Sequence, residues 1–158
     1  IIDVPPARSP KCLQVLHEAF RSVVAQFGIT AENTPNSPAF WTLTDLERVV
    51  ARPSELYRPS WTEDRRLRVR AARAVASRYL RHLAVAPHAS GRVVGAALVA
   101  VAARRTKAAG ATALRIGIVG ENVRLSDWYH RLGFVTADAG NRHFGLPFTV
   151  DHLELALV

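Results

Sequence analysis

The feature that most constrains this 158-residue chain is an ordered run in its second half: strand, glycine-bearing loop, helix, strand, helix. Tyr79 to Ala86 reads as a strand, because Leu83 and Val85 alternate with His82 and Ala84 until Pro87 stops the run. From Val94 a helix turns Leu98, Val101 and Ala102 inward and ends near Gly110. Ala113 to Val119 is a second buried strand, and Asn122 to Leu132 is a helix that closes at Gly133. Phe134 begins another strand, and Thr149 to Val158 reads as the last.

The first half is less regular. Ser9 can cap a helix and Pro10 suits its first position, with Leu13, Leu16, Phe20, Val23, Val24 and Phe27 at helical spacing before Gly28. Turn chemistry fills Ile29 to Phe40, and Thr44 to Glu47 resembles the capping box of a short second helix. Between Arg52 and Arg78 prolines and arginines break the pattern, and only Leu67 to Arg70 alternates like a strand. With no internal repeat or linker, residues 1–158 are expected to form a single domain with one site.

The longest apolar run near the middle, Val93 to Ala103, stops at two arginines, well short of the roughly 20 residues that cross a bilayer. Ile1 to Pro10 does not read as a secretory signal. Cys12 is the lone cysteine, so neither an internal disulfide nor a cysteine zinc site is expected, and a cytoplasmic setting is. The net charge of +8, almost wholly arginine, favours an anionic partner: nucleic acid, an anionic surface or a phosphate-rich cofactor.

Unpaired amides at a helix start make a site for phosphate, and Gly91 to Gly95 would be such a cradle, with Arg92 adding charge. Gly91 and Gly95 would let backbone approach a ligand closely, although an ordinary turn would use the same two glycines. The order Asn122, Leu125, Trp128-Tyr129, Leu132-Gly133-Phe134 is more specific. It resembles the second half of the coenzyme A site of GNAT acetyltransferases, and Tyr79 to Pro87 resembles the strand that enters that family's pyrophosphate loop. Phe27 to Asn33 and Phe144 to Phe148 are similar to one bacterial branch. The likeness is loose over 12–50 and good over 79–158.

The resemblance implies an α/β fold: a mixed, mostly antiparallel sheet with one splayed parallel strand pair, flanked by helices. It implies an acetyl-coenzyme A-dependent N-acetyltransferase in which an amine of a small molecule or protein attacks the thioester directly, without a metal. Coenzyme A would lie along Leu83 and Val85, over Ser90, Gly91, Arg92, Val93, Val94, Gly95 and Ala96, and against Asn122 and Tyr129. Tyr129 takes the family role of general acid toward the leaving thiolate, while packing alone is the other reading of it. Asn122 would bind the cofactor arm, cap the helix, or do both.

His82 is the candidate base, because imidazole titrates near neutrality, with a packed or surface histidine as the other reading. Related sequences often carry a carboxylate where Arg81 stands. Trp128, Leu132, Phe134 and Cys12 are expected in the core, and His130 and His143 on the surface. Two departures stand out: the phosphate loop has Ser90 and Val93 where the family commonly has Arg or Gln and a glycine, and 51–78 lacks the usual hairpin. Eight arginines between Arg58 and Arg81 support an alternative, a non-catalytic module that binds an acidic partner such as nucleic acid, but the stretch has few aromatics for stacking. The acceptor, expected against residues 27–60, stays open, as does pairing into a homodimer.

Overall fold

In the computed structural model, which describes residues 9–51, 77–91, 93–143 and 145–157, four strands form one sheet. They are β1 (Ser77–Tyr79), β2 (Ala113–Val119), β3 (Val135–Arg142) and β4 (Thr149–Ala156), in the spatial order β1-β2-β4-β3. β1 and β2 are parallel; the other two pairings are antiparallel. The side-chain period of two sets the faces. Leu114, Ile116 and Ile118 turn one way and are buried, while Arg115, Gly117 and Val119 turn the other. Across the ladder Leu153 opposes Ile116 and is fully buried, a placement that contributes about 2 kcal/mol by area.

On the apolar face lie α3 (Val94–Ala108), which supplies Val99 and Ala102, and α4 (Val123–Arg131), which supplies Tyr129. Phe134 completes this core, with Trp128 and Leu132 packed half-buried against it. α4 ends where Gly133 takes φ +93°, a conformation that L side chains rarely adopt. Its start is capped by Asn122, whose Oδ1 accepts from the Leu125 N–H at 3.2 Å.

In the first half α1 (Ser9–Phe27) takes in Ser9 itself and stops before Gly28, at φ +63°. The turn after it is closed by Asn33, which accepts from Thr30 N–H and donates to the Gly28 carbonyl, both at 2.9 Å. α2 (Leu43–Ala51) packs on α1. Its capping box is Thr42 with Asp45, not Thr44 with Glu47. The helix starts two residues before the expected box allows, so Thr42 N–H donates to Asp45 Oδ2 at 2.9 Å and Asp45 N–H donates to Thr42 Oγ1 at 3.3 Å.

The central strand differs most from expectation. Among the described residues of this stretch only Ser77–Tyr79 is strand; residues 80–86 are irregular, although their alternation reads as a strand. His82 sits at φ +56° in the left-handed region, which breaks the extended run. Most of the span 51–78, with the alternating stretch Leu67 to Arg70 and the arginines from Arg58 to Arg73, lies outside the described residues, as do Arg92 and Phe144.

Candidate active site

β1 and β2 register over three pairs, Ser77 with Ala113 to Tyr79 with Arg115, and one further link runs from Leu80 N–H to the Arg115 carbonyl at 2.8 Å. Past it the two chain segments part, since His82 turns the backbone away. The gap opens into a crevice of about 1470 Å³, above the roughly 300–1000 Å³ of ordinary small-molecule sites. Leu83 and Val85 line one side, Ile116 to Val119 the other, and the crevice runs on to Ser90, Gly91 and Gly95.

His82 stands at the fork. Its ring meets the Trp41 ring edge-on, with centroids 4.6 Å apart. Although part of its surface stays open, burial first and the Arg81 charge second push its pKa down to about 4, so the imidazole is neutral at pH 7. Tyr129 lies deeper on the crevice wall, 2% exposed, between Trp128 at 4.7 Å and Phe134 at 5.2 Å. Burial raises its phenol well above the usual range, so the proton stays on oxygen under all ordinary conditions. Asn122 lines the crevice with the same side chain that caps α4.

At the start of α3 the glycines divide their work. Gly91 has φ +75°, and a Cβ there would meet open space. Gly95 is buried, and its Cβ would lie 3.2 Å from Trp128 Cζ2 and 3.8 Å from Val85 Cγ2. The close approach that Gly95 permits is therefore helix on tryptophan. Val93 adopts ordinary helical angles, φ −63° and ψ −7°, and is 81% exposed, so a side chain there brings no backbone strain. Val93, Val94 and Ala96 are not on the crevice lining, whereas the amides of the first turn of α3 have no partner within the helix.

Arg81, Arg124, Arg131 and Arg142 all line the crevice, and no carboxylate does among the described residues. Several lining residues carry no signal in the sequence. His152 on β4 sits opposite Gly117, where a Cβ would stand 3.6 Å from the ring; its Nδ1 is buried with no hydrogen-bond partner, and Tyr79 meets it edge-on at 6.1 Å. The alternation of His152 with Leu153 is visible in the sequence, but the register that faces it with a glycine is not. Phe20 and Val23 of α1 also reach the crevice. Cys12, expected in the core, is half-buried and lines a second pocket of about 400 Å³ between α1, α2 and the segment from Arg81 to Ala84. His130 and His143 are exposed.

Among solved structures, an acetyltransferase from Thermus thermophilus matches at TM-score 0.62 and 19% identity, over 98% of this chain and 94% of that one. Nourseothricin acetyltransferase matches at TM-score 0.44 and 20% identity over 52% of this chain, and a Bacillus subtilis acetyltransferase in complex with CoA at 0.43 and 20% over 52%. The chain spans 49% and 62% of the lengths of those two. No family model and no curated protein matches the chain. The end-to-end likeness to the Thermus protein shows that the two chains share a fold, a mixed sheet whose single parallel pair, among the described residues, opens at the crevice.

Proposed function

We propose that this chain is an acetyl-coenzyme A-dependent N-acetyltransferase of the GNAT type. The observation that carries the reading is the crevice itself: it starts where β1 and β2 part and ends at the start of α3, with four arginines and no described carboxylate on its wall. A pyrophosphate-bearing substrate suits that charge, the first-turn amides of α3 suit its phosphates, and the volume suits its length. Leu83, Val85, Ser90 and Gly91 would flank the cofactor, with Asn122 on its arm.

In the reaction an amine nitrogen attacks the thioester carbonyl carbon, the carbon–sulfur bond breaks, and sulfur takes the proton of the Tyr129 hydroxyl, which solvent then restores. Tyr129 arrives protonated at any working pH, but the burial that holds its proton also weakens it as an acid, so the transfer depends on a hydrogen bond to sulfur made as the thiolate forms. His82 is neutral and can accept a hydrogen bond from the amine and pass its proton to water. An imidazole with so low a pKa is a weak base, so it acts best on an amine that is already neutral or whose proton has been made acidic by attack. Most of the rate would come from holding amine and thioester together.

Thermal unfolding with and without acetyl-coenzyme A tests the reading. A ligand at a hundredfold over its dissociation constant adds about 2.7 kcal/mol to the native state, so a clear upward shift is expected. No shift at millimolar ligand would overturn it. Ser90→Glu is a suitable control, since Ser90 is exposed on the crevice lining at φ −67°, and a carboxylate there should remove the shift without straining the backbone.

A further inference from the structure

The sequence places a glycine in the middle of β2, and the register sets that glycine at the fork. Among the described residues the last β1–β2 pair is Tyr79 with Arg115, so Ile116 and Gly117 are the first β2 residues past it. Gly117 is on the sheet face opposite Ile116, and its partner across the β2–β4 ladder is His152. A Cβ at 117 would stand 3.6 Å from Nδ1 and Cε1 of the His152 ring and from Val150 Cγ1. β1 and β4 flank β2 and are therefore about 9–10 Å apart as strands. The Tyr79 and His152 ring centroids are 6.1 Å apart, so the two rings lean toward each other over β2 at the level of the fork.

His152 is half-buried on the crevice wall, and of its two ring nitrogens Nδ1 is the enclosed one. No described group hydrogen-bonds Nδ1, Asp138 included, although Asp138 opposes His152 in the β3–β4 register. A neutral imidazole carries one proton, so one nitrogen donates and the other accepts. A proton on Nδ1 would bury an N–H with no acceptor, an orphan that folded proteins rarely hold, while an underused acceptor is found more often. The proton therefore belongs on Nε2, which is left to the crevice. A nitrogen that already carries its proton has no lone pair to offer, so toward the crevice His152 gives a hydrogen bond and does not act as a base.

The crevice runs from the fork to the start of α3. With phosphates on the first-turn amides of α3, the acyl end of the bound thioester lies at the fork, and its one oxygen is the acetyl carbonyl. We infer that His152 Nε2–H donates to this carbonyl oxygen and stabilises the negative charge it gains during acetyl transfer. The inference rests on the acetyltransferase reading for the thioester and adds to it a residue of β4. As the amine nitrogen bonds to the carbonyl carbon, the carbonyl π pair moves onto oxygen; it returns as the carbon–sulfur bond breaks and that bond's pair leaves with sulfur. The His152 proton stays on nitrogen throughout. A donor set in place before the reaction needs no reorganisation during it, and removing one such donor costs about a hundredfold or more in rate.

Long-range proton–nitrogen correlation spectra of the free protein, with His152 assigned through its backbone, should show the proton on Nε2. A proton on Nδ1, or on both nitrogens at neutral pH, overturns the inference. In the wild type the Nε2 resonance should then respond to acetyl-coenzyme A and not to coenzyme A, which lacks the acetyl group; an equal response to the two counts against it.

Infrared difference spectra of acetyl-coenzyme A, isotope-labelled at its acetyl carbonyl, give a second readout. The carbonyl stretch should fall on binding, His152→Leu should lose most of that displacement, and His152→Gln, whose amide can still donate, should regain part of it. An unchanged displacement in folded His152→Leu refutes the donor, and the wild-type nitrogen spectra decide if neither variant folds. With an amine that supports thiol release, His152→Leu should lower kcat about a hundredfold and leave KM for acetyl-coenzyme A little changed; a fall in affinity with kcat intact would make His152 a binding group only. A melting shift with acetyl-coenzyme A but no response at Nε2 sinks only this donor. Absence of the melting shift sinks the cofactor reading, while the proton position in the free protein still stands or falls by itself.

Discussion

Replacing Asn122 separates two tasks assigned to one side chain. Its Oδ1 accepts from Leu125 N–H at 3.2 Å in a partly buried setting, and the residue also faces the crevice. Asn122→Ala removes the cap at a cost of about 1 kcal/mol, which in a chain of this length lowers the melting temperature by about 2–4 °C. Asn122→Asp can accept the same hydrogen bond and should restore the melting temperature, because a carboxylate is favoured at a helix start. It cannot donate, however, and it places a negative charge on a wall that the proposed function assigns to an anionic substrate. Loss of one neutral hydrogen bond weakens acetyl-coenzyme A by roughly three- to tenfold, and the added charge deepens the loss. Differential scanning fluorimetry gives the first quantity and isothermal titration the second. A melting temperature unchanged in Asn122→Ala refutes the cap; full recovery of acetyl-coenzyme A affinity in Asn122→Asp refutes the binding role and leaves capping as the whole function.

Tyr129→Phe keeps the ring contacts to Trp128 and Phe134, so stability should hold while the rate of thiol release falls about a hundredfold or more; an unchanged turnover number would show that the hydroxyl is not the proton donor. For His82 the folded pKa, about 4, lies below its ordinary 6.5, so the unfolded chain takes up the proton first. Its stabilisation is therefore complete above about pH 6.5 and is lost as pH falls toward 4; the open part of the ring reduces the loss to about 1 kcal/mol. Urea midpoints measured between those limits should fall less steeply for His82→Gln than for the wild type, and equal slopes would remove His82 as the source. At Gly120 a Cβ would run into Thr149 Oγ1 and lie 2.9 Å from Asp151 Oδ1, which already accepts from Gly140 N–H. Gly120→Ala should cost about 1–3 kcal/mol of unfolding free energy, and a neutral result would mean that Thr149 and Asp151 give way freely.

What the sequence made legible was the part whose structure is decided locally. Gly28 and Gly133 mark helix ends because positive φ is needed there, Asn122 announces a cap, and β2 and β4 alternate over enough residues to fix their faces. The failures have a common cause. Leu83 and Val85 alternate as well as any strand pair, yet the segment leaves the sheet, a tertiary event set by His82 that periodicity does not encode. Thr42 with Asp45 and Thr44 with Glu47 both satisfy the same local pattern, and only the actual helix start chooses between them. Gly95 has the look of ligand chemistry because the tryptophan that needs it lies 33 positions further on. The same distance hides His152 behind Gly117 and Cys12 beside Trp41, since neither register nor helix packing can be read from one chain of letters.

The attachment of β1 also has a consequence for how the molecule opens. β2 and β4 share seven register pairs, and β3 adds to β4 from the adjoining stretch of chain, so 113–156 can close as one cooperative unit. Among the described residues β1 joins that unit by three pairs and the Leu80 amide, across a crossover that includes α3. Amide protons are released by the least costly opening that exposes them, so Leu80 should exchange with deuterium sooner than Leu114 or Leu153, through parting of β1 from β2 and not through global unfolding. A molecule that bridges the parted segments ties β1 to β2, and its arrival would be recorded earliest as slowed exchange at Leu80.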